Sequence, residues 1–302
     1  MKVKHLVGAF LCVLGCYACS SPKTEVQSPD GHIKMTLTVD ENGKPFYNVS
    51  VDDSLLIENS AMGFTAANGI ILGEGFQVKN TTFSSEDETW TQPWGENKKN
   101  RNHYNEMAVN LTNEDHVQLT LRFRVFDDGI GFRYEYTVPT VDSLLITDEL
   151  TTFRFHRDGT SWSIPASAET YELLYQQQPI SEVETANTPF TFKTADGVYG
   201  SIHEAALYDF PEMTLKQIGH YTLKAELAPW PDGIKARKGN HFTTSWRTVQ
   251  IAPEAVGLIN SSLILNLNDP CVLETTDWIR PLKYVGVWWG MHLGVETWKM
   301  DE

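Results

Sequence analysis

Residues 117–126 read VQLTLRFRVF and run through Asp127-Asp128-Gly129 into Gly131-Phe132-Arg133-Tyr134-Glu135-Tyr136. Val117, Leu119, Leu121, Phe123 and Val125 fall on one face of an extended chain, with polar side chains between them, the alternation of a half-buried strand. Aspartate and glycine tolerate positive φ, so Asp127-Asp128-Gly129 predicts a tight turn between two antiparallel strands. The turn accounts for the aspartate pair better than an acidic catalytic dyad does.

The same rhythm extends in both directions. Ile33, Met35, Leu37 and Val39 alternate with Lys34, Thr36 and Thr38; Asn42-Gly43-Lys44-Pro45 turns the chain, and Tyr47–Val51 answers as a hairpin partner. Further strands are expected at 75–83, 104–111, 144–155, 190–193, 198–203, 213–216, 221–227 and 242–251. Short strands separated by turn residues, with little helical period, predict a mainly β chain built as a large antiparallel sandwich. Val256, Ile259, Leu263 and Leu267 give 255–267 a helical spacing, broken by Asn266-Leu267-Asn268-Asp269-Pro270. At the far end Val285, Val287 and Trp288-Trp289, bounded by Gly286 and Gly290, have the profile of a buried parallel strand opening a new domain. His292, Glu296 and Trp298 follow it, where such a strand would lead into a loop.

Composition narrows the function. The chain has 302 residues and a formal net charge of −15. Nucleic-acid binding needs a basic face, so this charge argues against it, and equally against anionic substrates. A neutral ligand such as a sugar remains compatible. Nine tryptophans serve as core anchors or as stacking faces. No glycine-rich phosphate loop, compact metal motif, nucleophile elbow or Cys–His arrangement is present.

Residues 1–19 form an export leader of lipoprotein type. Lys2, Lys4 and His5 are basic, and the apolar stretch from Leu6 to Leu14 is too short to span a bilayer. Val13-Leu14-Gly15-Cys16 and Cys16-Tyr17-Ala18-Cys19 both suit lipid attachment, so Cys16 or Cys19 is the expected anchor of a periplasmic or outer-membrane protein. An ordinary cleaved signal is the alternative. Only Cys271 lies beyond the leader, so the exported domain must be stabilised by its core and not by disulfides.

Three stretches place polar groups where strand alternation does not ask for them. Trp94-Gly95-Glu96 with Arg101-Asn102-His103-Tyr104-Asn105-Glu106 reads as a cleft wall or as a polar hairpin held by side-chain hydrogen bonds. Tyr171-Glu172-Leu173-Leu174-Tyr175 sets one carboxylate among aromatics; it suits a capped turn, or one ligand of a calcium ion, which takes six to eight oxygens from scattered positions. His203-Glu204 ends a strand, either as sugar-hydroxyl partners or as a satisfied local pair. Pro229-Trp230-Pro231-Asp232-Gly233 is a rigid turn presenting a tryptophan as a stacking platform or a plug.

In order along the chain, eight blocks resemble glycoside hydrolase family 97, the α-glucosidase and α-galactosidase family of Bacteroidetes: Ser28-Pro29-Asp30-Gly31, 101–106, 126–134, 171–175, 201–207, 228–233, 245–248 and 283–292. The resemblance implies an N-terminal, galactose-mutarotase-like β-supersandwich over residues 24–277. It also implies a linker and the first strand of a catalytic (β/α)8 barrel over residues 278–302, an orphan strand within this chain. It assigns Glu172 to a calcium ion shared between sandwich and barrel, and His203 and Glu204 to the sugar. Trp288-Trp289-Gly290-Met291-His292 is similar to the inverting α-glucosidase branch, in which an acid and a base carboxylate flank the scissile bond. Those carboxylates belong to the barrel, so no catalytic residue is assigned in this chain. The expected partner is an α-linked oligosaccharide, and calcium binding by the chain alone should be weak or absent. The competing expectation is a stand-alone, non-catalytic carbohydrate-binding or interaction sandwich.

Overall fold

A computed structural model describes residues 24–167, 170–284 and 289–295. The leader with Cys16 and Cys19, and Val285–Trp288, Glu296 and Trp298 of the expected barrel strand, lie outside the described residues.

Among the described residues the strands form four antiparallel sheets. The largest runs, edge to edge, through 176–179, 159–163, 190–194, 199–205, 246–252, 129–137, 118–126, 99–112 and 77–91, with 241–243 also pairing to 129–137. Its centre is the hairpin of 118–126 and 129–137, in which Phe126 pairs with Gly129 and Gln118 with Thr137. Gly129 sits at φ +144°, where the turn needs glycine. Asp127 accepts the backbone N–H of Asp30, and the half-buried Asp128 accepts the hydroxyl of Ser261 at 2.7 Å. Both aspartates are therefore structural.

Three four-stranded sheets cover one face of the large sheet: 25–27, 33–39, 45–51 and 54–61; then 236–239, 143–149, 64–66 and 71–72; then 152–154, 222–227, 213–217 and 185–187. The main core lies between the layers. Leu119, Leu121, Phe123 and Val125 are buried there, as the alternation requires. Aromatic pairs cross from layer to layer: Tyr47 to Phe132 at 4.9 Å between centroids, Phe64 to Tyr134 at 4.9 Å, and Phe155 to Phe192 at 4.8 Å. Edge-on and tilted contacts of this kind add to the transfer of apolar area from water.

The opposite face of the central strands is polar and ordered by charge. Arg122 donates to Glu106 at 2.6 Å and to Glu135 at 2.7 Å, and Arg124 donates to Glu106 at 2.9 Å. The guanidinium groups of Arg124 and Arg133 lie over the Trp246 ring. Tyr104, Phe126 and Trp246 form a second apolar cluster here with Leu263 and Leu267.

The expected helix over 255–267 is two short ones, Ala255–Asn260 and Leu263–Asn266. Ser261 interrupts them because its hydroxyl is tied to Asp128 and accepts the N–H of Leu263. Leu263 and Leu267 are buried, whereas Val256 and Ile259 remain exposed.

Of the expected terminal strand only Trp289 lies among the described residues. Trp289–His292 forms one helical turn, with the Leu293 N–H bonded to the Trp289 carbonyl at 2.8 Å. Trp289 and Leu293 are exposed.

Candidate functional site

Strands 77–91 and 99–112 pair along their full length. Arg101 holds Asp87 through two bonds of 2.8 Å, and Asn102 donates to Glu88 at 3.2 Å. The Arg101–Glu106 stretch is thus a strand fixed by side-chain bonds, and its Asn105 and Glu106 also line a concavity with Phe83 and residues 25–31.

Three other stretches meet at one rim of the sandwich. Tyr171 donates its hydroxyl to Glu212 at 2.5 Å, and the Ala228 N–H bonds the Glu212 carbonyl at 3.1 Å. The loops around 171, 206–212 and 228–234 are therefore contiguous. Between the first two lies a cavity of about 100 Å³, lined by Tyr171, Asn187, Thr188, His203, Glu204 and Glu212 among others. It is large enough for one or two hydroxyl-sized groups.

Consecutive residues of a strand face opposite ways, and this separates the His203-Glu204 pair. His203 is half-buried, with Nδ1 3.0 Å from the Thr188 hydroxyl. Burial holds its imidazole pKa below the ordinary value and so favours the neutral ring, which offers one donor and one acceptor. Glu204 is turned inward. Its Oε1 accepts the Met213 N–H at 2.7 Å; its Oε2 accepts from Arg247 and from the Ser245 hydroxyl. With both oxygens engaged and the residue 6% exposed, its carboxylate is not available to a sugar in this arrangement. The substrate-binding role expected of Glu204 becomes a structural one, and His203 is left as the available member of the pair.

Arg247 is fully buried and bridges two carboxylates: it bonds Glu149 at 2.5 and 2.9 Å and Glu204 on its other side. Burial works against the guanidinium charge, but Glu149 and Glu204 outweigh it and raise the pKa. Burial likewise pushes the Glu204 carboxyl up, with Arg247 opposing. This triad ties the strands 143–149, 199–205 and 246–252 together directly beneath the cavity.

Asn187 was not signalled by the sequence. It is 3% exposed and lines the cavity, yet its side-chain NH2 has no partner among the described residues. A buried amide donor left without an acceptor is costly, and a ligand oxygen beside His203 would satisfy it. Nothing local marks this asparagine in the Thr185–Asn187 strand.

Glu172 lies beside Tyr171 but is exposed, and its N–H bonds the Thr170 hydroxyl at 3.0 Å in a capped turn. Among the described residues no group of three or more His, Cys, Asp or Glu side chains could hold a metal ion. One carboxylate does not fit a calcium shell of six to eight oxygens. No helix among the described residues is long and apolar enough to cross a membrane.

Comparison with known proteins agrees with this architecture. The family described as glycosyl-hydrolase 97 N-terminal matches residues 26–270. A glycoside hydrolase family 97 enzyme from Pseudoalteromonas sp. strain K8, also solved in complex with panose and with acarbose, is 40% identical; the match covers 91% of this chain and 42% of that one, with a TM-score of 0.85. A retaining alpha-galactosidase of Bacteroides thetaiotaomicron is 24% identical over 99% of this chain and 48% of its own length. A beta-arabinopyranosidase shares the fold, with a TM-score of 0.69 at 20% identity over 76% of this chain and 40% of its own. The chain spans less than half the length of each.

Proposed function

The chain belongs to the glycosyl-hydrolase 97 N-terminal family, and on that premise we propose that it is the N-terminal part of an exported glycosidase acting on α-glucosides. The observation that carries the substrate choice is the difference in identity. The chain is 40% identical to an enzyme whose structures hold panose and acarbose, and 24% identical to a retaining alpha-galactosidase. In this reading the catalytic carboxylates, working by inversion, lie outside the chain, and the sandwich lends substrate contacts from its rim. His203 and Asn187 offer hydrogen bonds to sugar hydroxyls, with Tyr171 and Glu212 closing the cavity wall. An enzyme carrying this chain is expected to release glucose from panose while leaving 4-nitrophenyl α-galactoside intact. Preferential cleavage of the galactoside would overturn the reading.

We assign Glu172 one coordination position on a calcium ion whose other ligands lie outside the described residues. A single exposed carboxylate cannot compete with water for the ion. Calorimetric titration of the chain alone should therefore show no saturable calcium binding below millimolar concentrations. Micromolar binding that Glu172→Ala abolishes would contradict this. Export as a lipoprotein through Cys16 or Cys19 belongs to the same proposal, and mass spectrometry of the membrane fraction would test it.

A further inference from the structure

A second concavity, of about 440 Å³, lies along the same rim at the turn 228–234 and shares no lining residue with the His203 cavity. Pro229 and Pro231 flank Trp230 and restrict the backbone on both sides of it. The turn is closed by the Trp230 N–H on the Ile234 carbonyl and the Gly233 N–H on the Trp230 carbonyl, both at 2.8 Å. The indole is thus held out on a stiff support and is 59% exposed. Phe210 lines the groove beside it.

The charged groups decide what such a groove would hold. Lys238 is bound by Asp209, at 2.8 Å to the carboxylate, and lies over the Phe210 ring. Arg237 pairs with Asp232. Lys235 donates to the Leu227 carbonyl at 2.8 Å. Two of the three cations are matched by carboxylates and the third is held by the backbone, in a chain of net charge −15. An anion entering here would have to displace Asp209 or Asp232. A neutral polyhydroxylated ring can instead lay its C–H face on the indole and bond its hydroxyls to carboxylate acceptors and ammonium or guanidinium donors already in place.

We propose that the groove between Trp230 and Phe210 is a second carbohydrate site, taking one pyranose ring of a neutral oligosaccharide outside the His203 cavity. The proposal rests on the glycosidase reading above but not on which sugar that enzyme cleaves.

The test follows the tryptophan indole N–H resonances of the 302-residue chain by NMR during titration with maltotriose, and separately with inorganic phosphate. Maltotriose is expected to shift the Trp230 signal saturably, and phosphate to leave it in place. Trp230→Ala should weaken binding ~10-fold or more, while Trp94→Ala, a tryptophan of the polar hairpin, should bind as the parent does. Asp209→Asn, which keeps the indole, should weaken binding less. Unchanged affinity in Trp230→Ala, a response to phosphate alone, or no shift with any sugar would overturn the proposal. Binding lost in His203→Asn but retained in Trp230→Ala would remove the groove and leave the glycosidase reading standing. Raffinose binding at Trp230 together with galactoside cleavage would keep the groove and remove the α-glucoside assignment.

Discussion

Replacing Arg247 by methionine is expected to lower the stability of the chain by about 3–5 kcal/mol, the cost of stranding buried charge. The side chains of Arg247 and Glu149 are fully buried, and that of Glu204 nearly so. Methionine fills much of the space but leaves two carboxylates without a cation. Each must then be buried charged or take up a proton. Burial already pushes the Glu204 carboxyl up, and without the guanidinium opposing it the folded form holds a proton more readily than the unfolded one, so its stability falls as pH rises. The deficit should accordingly be largest near neutral pH and shrink as pH approaches 4.5, the ordinary glutamate value. Replacing Glu149 and Glu204 by leucine in the same chain should recover much of the loss, since an apolar triad carries no desolvation cost. Denaturant unfolding at pH 7.5 and pH 5 measures both effects. A loss under about 1 kcal/mol, the level of an exposed pair, would show that the triad is solvated. A loss independent of pH would show that the carboxylates do not carry it.

The triad also marks where sequence reading stops. Glu149 and Arg247 are 98 positions apart and each sits in a strand whose neighbours look ordinary. No local period announces that they meet. The separation of His203 from Glu204 follows the same logic in reverse. Adjacent polar residues at a strand end read as a pair, but pleating sends one to the rim and the other to the core. Asn187 had no signal at all, because an unpaired amide is a property of three-dimensional surroundings. By contrast, the large sandwich was legible from Val117–Tyr136 alone, since the period of two is set by the backbone itself and survives any tertiary context. Strand 77–91 was underestimated because it is exposed along most of its length and its polar run past Phe83 lacks the alternation that reports burial. Of the expected terminal strand only Trp289 is described, in a helical turn with Gly290–His292.

The hairpin at the centre of the large sheet supports the second large effect, for Gly129→Ala. Gly129 lies at φ +144°, a conformation that L side chains rarely adopt. A Cβ there would stand 2.3 Å from the Val249 carbonyl oxygen and 2.9 Å from the Gln250 Cα. Both are backbone atoms of the neighbouring central strand, so no side chain can rotate out of the way. Backbone strain of about 1–3 kcal/mol adds to overpacking of about 1–3 kcal/mol. The loss of about 0.4–1 kcal/mol of unfolded-state freedom that alanine brings offsets little of this. A net destabilisation of roughly 2–5 kcal/mol is expected. Asp127→Ala, in the same turn, should cost less, because an exposed-loop aspartate loses its bond to the Asp30 N–H and a 3.7 Å contact with His103 without straining the backbone. The position of the effect matters as much as its size. Strand 246–252 carries Arg247 and pairs with 199–205, which carries His203. Pushing Val249 and Gln250 away from the turn should therefore disturb the rim as well as the core. In Gly129→Ala refolded at low temperature, the His203 and Trp230 resonances should shift before those of Trp94 at the tip of the polar hairpin. A variant as stable as the parent, or one that moves Trp94 first, would show that the turn is not the point from which the central sheet is held.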